Sequence, residues 1–259
     1  MKRLILIALV VAGCFYAAKT LSNKSFILYY HNVAEHKGGL RSLYVSSWTF
    51  EMQMKYLHWR KYKTIPLEEL VSRIKNRRPI PRKTFAVTFD DGYRNNYSAA
   101  YPIMKKYGYT ATVFLAVNEI GRTLAHYRTV EEKRLNTRQI REMSSYFTFG
   151  SHTMTHGNLA LMKKFQAKNE LSRSRKEIMK ITGREVKLFC YPIGRFNPEV
   201  KALVKETGYD GACSTYAGLV DGKTDPYELP RIEWKGLTAS SVDNFWKLKW
   251  FYLKIILGI

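Results

Sequence analysis

The stretch Thr84-Phe85-Ala86-Val87-Thr88-Phe89-Asp90-Asp91-Gly92 decides the fold. Its first six residues read as a β-strand, rich in β-branched and aromatic side chains. That strand runs without a linker into two adjacent carboxylates and a glycine. Working outward, the same grammar repeats. Phe26 to Tyr30 is a compact apolar run ending at His31 and reads as a buried strand. Thr112 to Ala116 is a third strand. Phe147 to Phe149 is a short strand that delivers Gly150-Ser151-His152. Val186 to Tyr191 and Gly211 to Ser214 are further strands.

Helical patterns fall between them. Trp48 to Trp59 carries Phe50, Met54 and Leu57 on one face. Pro66 to Ile74, Ala99 to Tyr107, Thr137 to Ser145 (capped by the Thr), Lys163 to Thr182 and Pro198 to Thr207 complete the set. Pro79 and Pro81 break the chain. Strands alternating with helices point to parallel β/α units. In barrels built this way the active site lies at the C-terminal ends of the strands, and here the polar residues gather at those ends. There are no internal repeats and no low-complexity segments.

The chain has 259 residues, enough for one domain with a sizeable core. Hydrophobic residues make up 46% and charged residues 25%, the balance of a folded chain rather than a disordered one. The formal net charge is +22, which favours an anionic partner. The basic residues form no dense tract, and neither zinc-finger spacing nor an RNP-type strand is present. Nucleic acid is therefore not the expected partner; an anionic membrane surface or envelope polymer is. The many aromatic rings suit a carbohydrate cleft as well as a core, and for any single ring the core is the default.

Residues 1–24 read as a signal peptide or anchor. Lys2 and Arg3 precede an apolar run from Leu4. Val11-Ala12-Gly13-Cys14 resembles a lipoprotein signal in which Cys14 is acylated. The run to Ala18 is short for a full span of about 20 residues. Export to the cell envelope is expected, with attachment through this segment or a lipidated Cys14. That leaves Cys190 and Cys213, either as two buried thiols or as a disulfide in an oxidising compartment. Residues 236–259 mix aromatics and lysines, as a core-packing helix or a membrane-interfacial one would.

Three segments carry chemistry. Adjacent carboxylates at Asp90 and Asp91 repel unless a cation or proton relieves them, although Asp-Asp-Gly is also ordinary turn chemistry. His152 and His156, four apart, can converge on one metal from a helical turn or a loop. One carboxylate and two imidazoles leave coordination positions open for water and substrate, as a catalytic site requires. Tyr191-Pro192-Ile193-Gly194 shapes a tight turn whose N–H groups can face a ligand.

Together these pieces resemble the polysaccharide deacetylase family, the NodB-homology domain, over residues 25–235. Thr88-Phe-Asp-Asp-Gly92 is similar to its first motif and Ser151-His-Thr-Met-Thr-His156 to its second. The resemblance implies an α/β fold, a distorted and incomplete (β/α) barrel. It implies a hydrolase that removes N-acetyl groups from a polysaccharide. Asp90 would be the general base, and Asp91, His152 and His156 would hold a divalent metal, usually Zn2+, with Co2+ or Ni2+ also suited to these ligands. Tyr191, Pro192 and Ile193 would line the oxyanion and substrate position, Ile193 through its N–H.

The chain departs from the family pattern in two places. Cys190 stands where an Arg usually orients the base, and no His follows His156 to act as general acid. His31 is the expected acid, because some biofilm-exopolysaccharide deacetylases of this family have permuted motifs. Arg231 is the expected replacement for the missing Arg. Three rival functions share these features: a same-fold deacylase, such as a deformylase on a lipid-linked glycan; a glycan-binding pseudoenzyme; and a membrane-surface scaffold.

Overall fold

The computed structural model describes residues 24–126 and 130–234. The strands, in chain order, are β1 (Phe26–Tyr30), β2 (Asn32–Val33), β3 (Tyr44–Val45), β4 (Lys63–Thr64), β5 (Thr84–Phe89), β6 (Thr112–Leu115), β7 (Thr123–His126), β8 (Val130–Lys133), β9 (Thr148–Ser151), β10 (Leu188–Cys190), β11 (Gly211–Cys213) and β12 (Ile232–Glu233). The helices are α1 (Ser47–Trp59), α2 (Leu67–Lys75), α3 (Tyr101–Lys106), α4 (Thr137–Met143), α5 (Lys164–Thr182) and α6 (Pro198–Glu206).

All six expected strands and all six expected helices form. The main sheet runs β11-β10-β9-β6-β5-β1-β12, with β4 added beside the start of β5. Every pairing in it is parallel. The sheet curls into an open half-barrel. Between its end strands β11 and β12 the gap is bridged by the segment after β11, which returns to pair Leu229 with Ala212 and Ser214. This is the distorted, incomplete (β/α) barrel that the family resemblance implied.

Strand alternation sorts the side chains onto two faces. Phe26, Leu28, Tyr30, Phe85, Val87, Phe89, Val113 and Leu115 join the large core under the outer helices. Ile27, Ala86, Phe114, Leu188 and Cys190 join a smaller core closed by Leu67, Leu70, Val71 and Ile74 of α2. By the same alternation Tyr29, His31, Thr88 and Asp90 share the face of this smaller core, one or two residues further along. Helix α1 buries Phe50, Met54 and Leu57 completely, each worth about 1.5–3 kcal/mol against exposure.

Two details differ from the sequence reading. Helix α4 is capped by Asn136 and not by Thr137. The Asn136 side chain accepts the Gln139 N–H at 2.9 Å and the Gln139 side chain accepts the Asn136 N–H at 3.1 Å, a reciprocal cap worth about 1 kcal/mol. The two-residue strands β2, β3, β4 and β12 and the β7–β8 hairpin carry too little pattern to be read in advance. Cys190 and Cys213 are buried free thiols, directly opposite one another on β10 and β11.

No helix among the described residues is long and apolar enough to cross a membrane. The leader or anchor at 1–24, apart from its last residue, and the tail at 236–259 lie outside the described residues.

Gly92 shows how tightly the strand end is built. It follows Asp91, and both have positive φ, 66° and 61°. A Cβ on Gly92 would sit 2.6 Å from Leu115 Cδ2. Gly92→Ala is therefore expected to destabilise the fold by about 1–3 kcal/mol. A denaturant midpoint within error of the parent would contradict this.

Candidate active site

The site stands where β1, β5, β9 and β10 end. Asp90 continues the sheet past β5, its N–H donating to Tyr30 O at 2.9 Å. Its carboxylate is buried and paired with Arg231 in a two-pronged contact: Nη1 to Oδ1 and Nη2 to Oδ2, both 2.8 Å. Arg231 is itself fully enclosed. Its Nε donates to Ser214 O at 2.8 Å, Nη1 to Thr88 Oγ1 at 3.1 Å, and Nη2 reaches Cys190 Sγ at 3.2 Å. The Tyr29 ring lies 4.6 Å from the guanidinium carbon. Burial alone would raise the Asp90 pKa, but the Arg231 charge and hydrogen bonds outweigh it and hold the carboxyl below its ordinary value. Arg231 thus stands beside the position that Cys190 leaves without a guanidinium.

Asp91, turned by its positive φ, faces His152 and His156. Its Oδ1 lies 3.5 Å from His152 Nε2 and 3.2 Å from His156 Nε2. The two rings are 4.8 Å apart at 69°. His152 continues β9, its N–H donating to Leu115 O. His156 follows four residues later on a loop, not a helix. That loop is held from α5: Glu170 Oε2 accepts the Met154 and Thr155 N–H groups, each at 2.9 Å.

A divalent metal fits these three residues. Asp91 Oδ1 is buried and makes no hydrogen bond, although two imidazole nitrogens stand near it. The His152 Nδ1 lies 2.7 Å from Cys190 O, which fixes that nitrogen as the donor and leaves Nε2 as a lone pair aimed at Asp91. Burial, with His156 adding to it, lowers the His152 pKa to about 4, so the ring is neutral at pH 7. Asp91 is also buried, but the neighbouring His156, His31 and His152 hold its carboxyl well below the usual range. Burial alone would lower the His156 pKa, but the Asp91 carboxylate beside it outweighs burial and raises it. One carboxylate and two imidazoles, with ligand atoms within 4.8 Å of one another, form a donor set that suits a divalent cation. Asp90, His152 and Cys190 also lie within 4.8 Å of one another. The Asp90 charge is already balanced by Arg231, and burial pushes the Cys190 thiol well up, which disfavours that set.

The remaining predicted residues divide. His31 ends β1 beside the carboxylates and adds to the pull on both. It also lines a cavity of about 730 Å3 shared with Tyr29, Trp48 and Trp234. Ile193 sits at the tip of the turn after β10 with φ 51°. The turn is closed by Gly194 and Arg195 N–H, and the Ile193 N–H takes no part in it. Tyr191 faces elsewhere. Its ring stacks on Phe196 at 4.2 Å and its hydroxyl donates to Tyr227 O at 3.0 Å. Pro192 is buried within the turn. Both support the turn rather than present side chains to a substrate.

A family model for polysaccharide deacetylase matches residues 77–212, more than half of the chain. The chain belongs to the polysaccharide deacetylase family. Its relatives include YxkH of Bacillus subtilis (strain 168), whose name carries the same family assignment. This deacetylase is 32% identical to it over 208 residues, 80% of the present chain and 70% of the relative. The poly-β-1,6-N-acetyl-D-glucosamine N-deacetylase of Staphylococcus aureus (strain MRSA252) is 28% identical over 218 residues, 80% and 72% of the two chains. The resemblance to biofilm-polymer deacetylases read from the sequence thus has a counterpart among the relatives. Streptococcus pyogenes deacetylase PplD, solved in complex with acetate, shares the fold: TM-score 0.74, 24% identity, 86% of this chain and 97% of that one.

Proposed function

We propose that this deacetylase removes N-acetyl groups from an exported, N-acetylated polysaccharide of the cell envelope. The observation that carries the reading is the meeting of two clusters: an ionised Asp90 locked by Arg231, and Asp91, His152 and His156 converging beside it. The substrate class is supported by the Staphylococcus aureus relative, named for poly-β-1,6-N-acetyl-D-glucosamine. The envelope location is supported by the apolar leader and the net charge of +22.

Asp91, His152 and His156 would hold the divalent cation, with Zn2+, Co2+ and Ni2+ all suited to such ligands. When bound, it supplies Lewis acidity and a lowered pKa for a water molecule. Asp90 accepts the proton of the attacking water. Each carboxylate oxygen keeps a lone pair after pairing with Arg231, and the fixed fork aims it. Ile193 N–H, which takes no part in closing its own turn, would donate to the developing oxyanion. His31 returns a proton to the leaving nitrogen, so acetate and a free amine are released with one water consumed.

The test is release of acid from a panel of acetylated glycans, with and without chelator. Acetate release that chelator abolishes is expected. Formate release from formylated analogues alone would move the reading to a deformylase, and no release from any glycan would end it. In His31→Ala, turnover is expected to fall by about 10²–10⁴-fold with the metal still bound. Unchanged turnover would remove His31 from the acid role.

A further inference from the structure

We propose that the end of the barrel opposite the active site docks on an anionic lipid surface. This rests on the envelope location above but not on the deacetylase chemistry. Two of the connections at that end carry a basic patch; among the others, Glu185 and Asp210 are paired with Arg175 and Lys75. One follows α1 and contains Arg60, Lys61 and, at the start of β4, Lys63. The other links α2 to β5 and contains Arg77, Arg78, Arg82 and Lys83. All seven side chains are exposed, and neither connection contains an acidic residue. They are neighbours in space: Lys63 N–H donates to Lys83 O at 2.9 Å, and Lys83 Nζ reaches Arg60 O at 3.4 Å. Trp59, 70% exposed, stands beside them with Arg60 over its ring. A large amphipathic ring set among cations is the composition of a membrane–water interface.

The backbone supplies an independent observation. Seven non-glycine residues among those described have positive φ. Four are at the candidate active site: Asp91, Thr153, His156 and Ile193. The other three are Lys61, Arg77 and Lys83. Glycine would take those turns without strain, and Lys and Arg lack the short polar side chain that eases Asn or Asp into this region. Strain held by non-glycine residues marks places where the side chain matters. In this molecule such residues occur at the candidate catalytic site and at the basic end, and nowhere else among the described residues.

The chain's course agrees. Ser25 Oγ donates to Thr84 O at 2.8 Å, next to Lys83, and the Phe26 ring packs 5.7 Å from Tyr62. The described chain therefore enters β1 beside this patch, and the apolar stretch from Leu4 to Ala18 precedes that entry in sequence. The length of β5, six residues or roughly 20 Å, separates the patch from Asp90. A barrel seated on this end holds its catalytic mouth away from the lipid, toward a polymer outside it.

The experiment uses the full 259-residue chain and sedimentation with vesicles of phosphatidylcholine, alone or with about 30% phosphatidylglycerol. Two variants each lose six positive charges. The patch variant carries Arg60→Gln, Lys61→Gln, Lys63→Gln, Arg77→Gln, Arg82→Gln and Lys83→Gln. The control carries Lys163→Gln, Lys164→Gln, Lys168→Gln, Arg173→Gln, Lys176→Gln and Lys180→Gln on α5 and its cap. An unfolding scan checks that each folds. The parent is expected to prefer anionic vesicles by roughly tenfold or more at low salt, since each basic residue near the surface adds about fivefold. The patch variant should lose that preference and the control should keep most of it. Should the patch variant not fold, Lys61→Gly, Arg77→Gly and Lys83→Gly together remove three charges at turns that favour glycine, and must weaken the preference. Equal loss in both six-charge variants, a preference that survives in the patch variant, or no preference in the parent would overturn the proposal. Tighter capture by soluble polyphosphate than by the vesicles would assign the patch to a polymer and overturn it as well.

Discussion

Arg231→Met is expected to lower turnover by at least a hundredfold and to destabilise the fold by about 3–5 kcal/mol, the usual cost of stranding one partner of a buried ion pair. The size follows from enclosure. Arg231 and Asp90 are both buried, and four of the guanidinium's contacts are to fixed groups: both Asp90 oxygens, Thr88 Oγ1 and Ser214 O. Water cannot take the place of the lost charge without opening the barrel. Adding Asp90→Asn to Arg231→Met should recover much of the stability, because the uncompensated charge is then gone, while turnover stays low. Equilibrium unfolding of the two single variants and the double variant gives the coupling. A coupling near zero would mean that the pair does not hold the base as described.

Adding Zn2+ to metal-stripped protein should raise its melting temperature by a margin that one residue controls. A ligand at a thousand times its dissociation constant adds about 4 kcal/mol, and a chain of this size gains about 2–4 °C per kcal/mol, so a rise of roughly 8–16 °C is expected. The physical source is Asp91 Oδ1, buried, without a hydrogen bond, and facing two ring nitrogens. Asp91→Ala should abolish the rise and His152→Ala should reduce it to a small remnant. Persistence of the full rise in Asp91→Ala would place the cation elsewhere. Titration calorimetry on the same proteins separates loss of binding from loss of folding.

How much of this was legible in the sequence depends on how local each residue's role is. Asp90, Asp91 and His152 were readable because each lies one or two residues past a strand, and His156 because it stands four residues beyond His152, so a linear pattern fixes the place of each side chain. Arg231 was readable only as the answer to a gap, since Cys190 stands where a guanidinium was expected. The acid role proposed for His31 rests on its place just past β1, a position the sequence did disclose. Glu170 was not readable. It lies on a long basic helix, 15 and 16 residues from the backbone it holds, and nothing in its neighbourhood distinguishes it from a solvated acid. Tyr29, inside an apolar run, looked like core, yet its ring lies against the Arg231 guanidinium and burial, with Glu233 adding to it, pushes its phenol up to about 12. Tyr191 erred the other way: its place in a motif suggested contact with substrate, and packing against Phe196 turned it inward. Side chains whose partners are brought by topology rather than by spacing leave no trace in a linear reading.

The gap between β11 and β12 has a consequence for the order in which the site becomes competent. Asp90 is fixed by β5, early in the chain, between its neighbours β1 and β6. Its counter-charge arrives on the returning segment that bridges the open side of the barrel, about 140 residues later. Until that segment docks, the partly assembled barrel encloses a carboxylate that must either stay protonated or admit water. Docking of that segment supplies the counter-charge that lets Asp90 stay ionised in its buried place. The carboxylate and the closure of the barrel are thus coupled through one guanidinium, carried by the last stretch of the described chain.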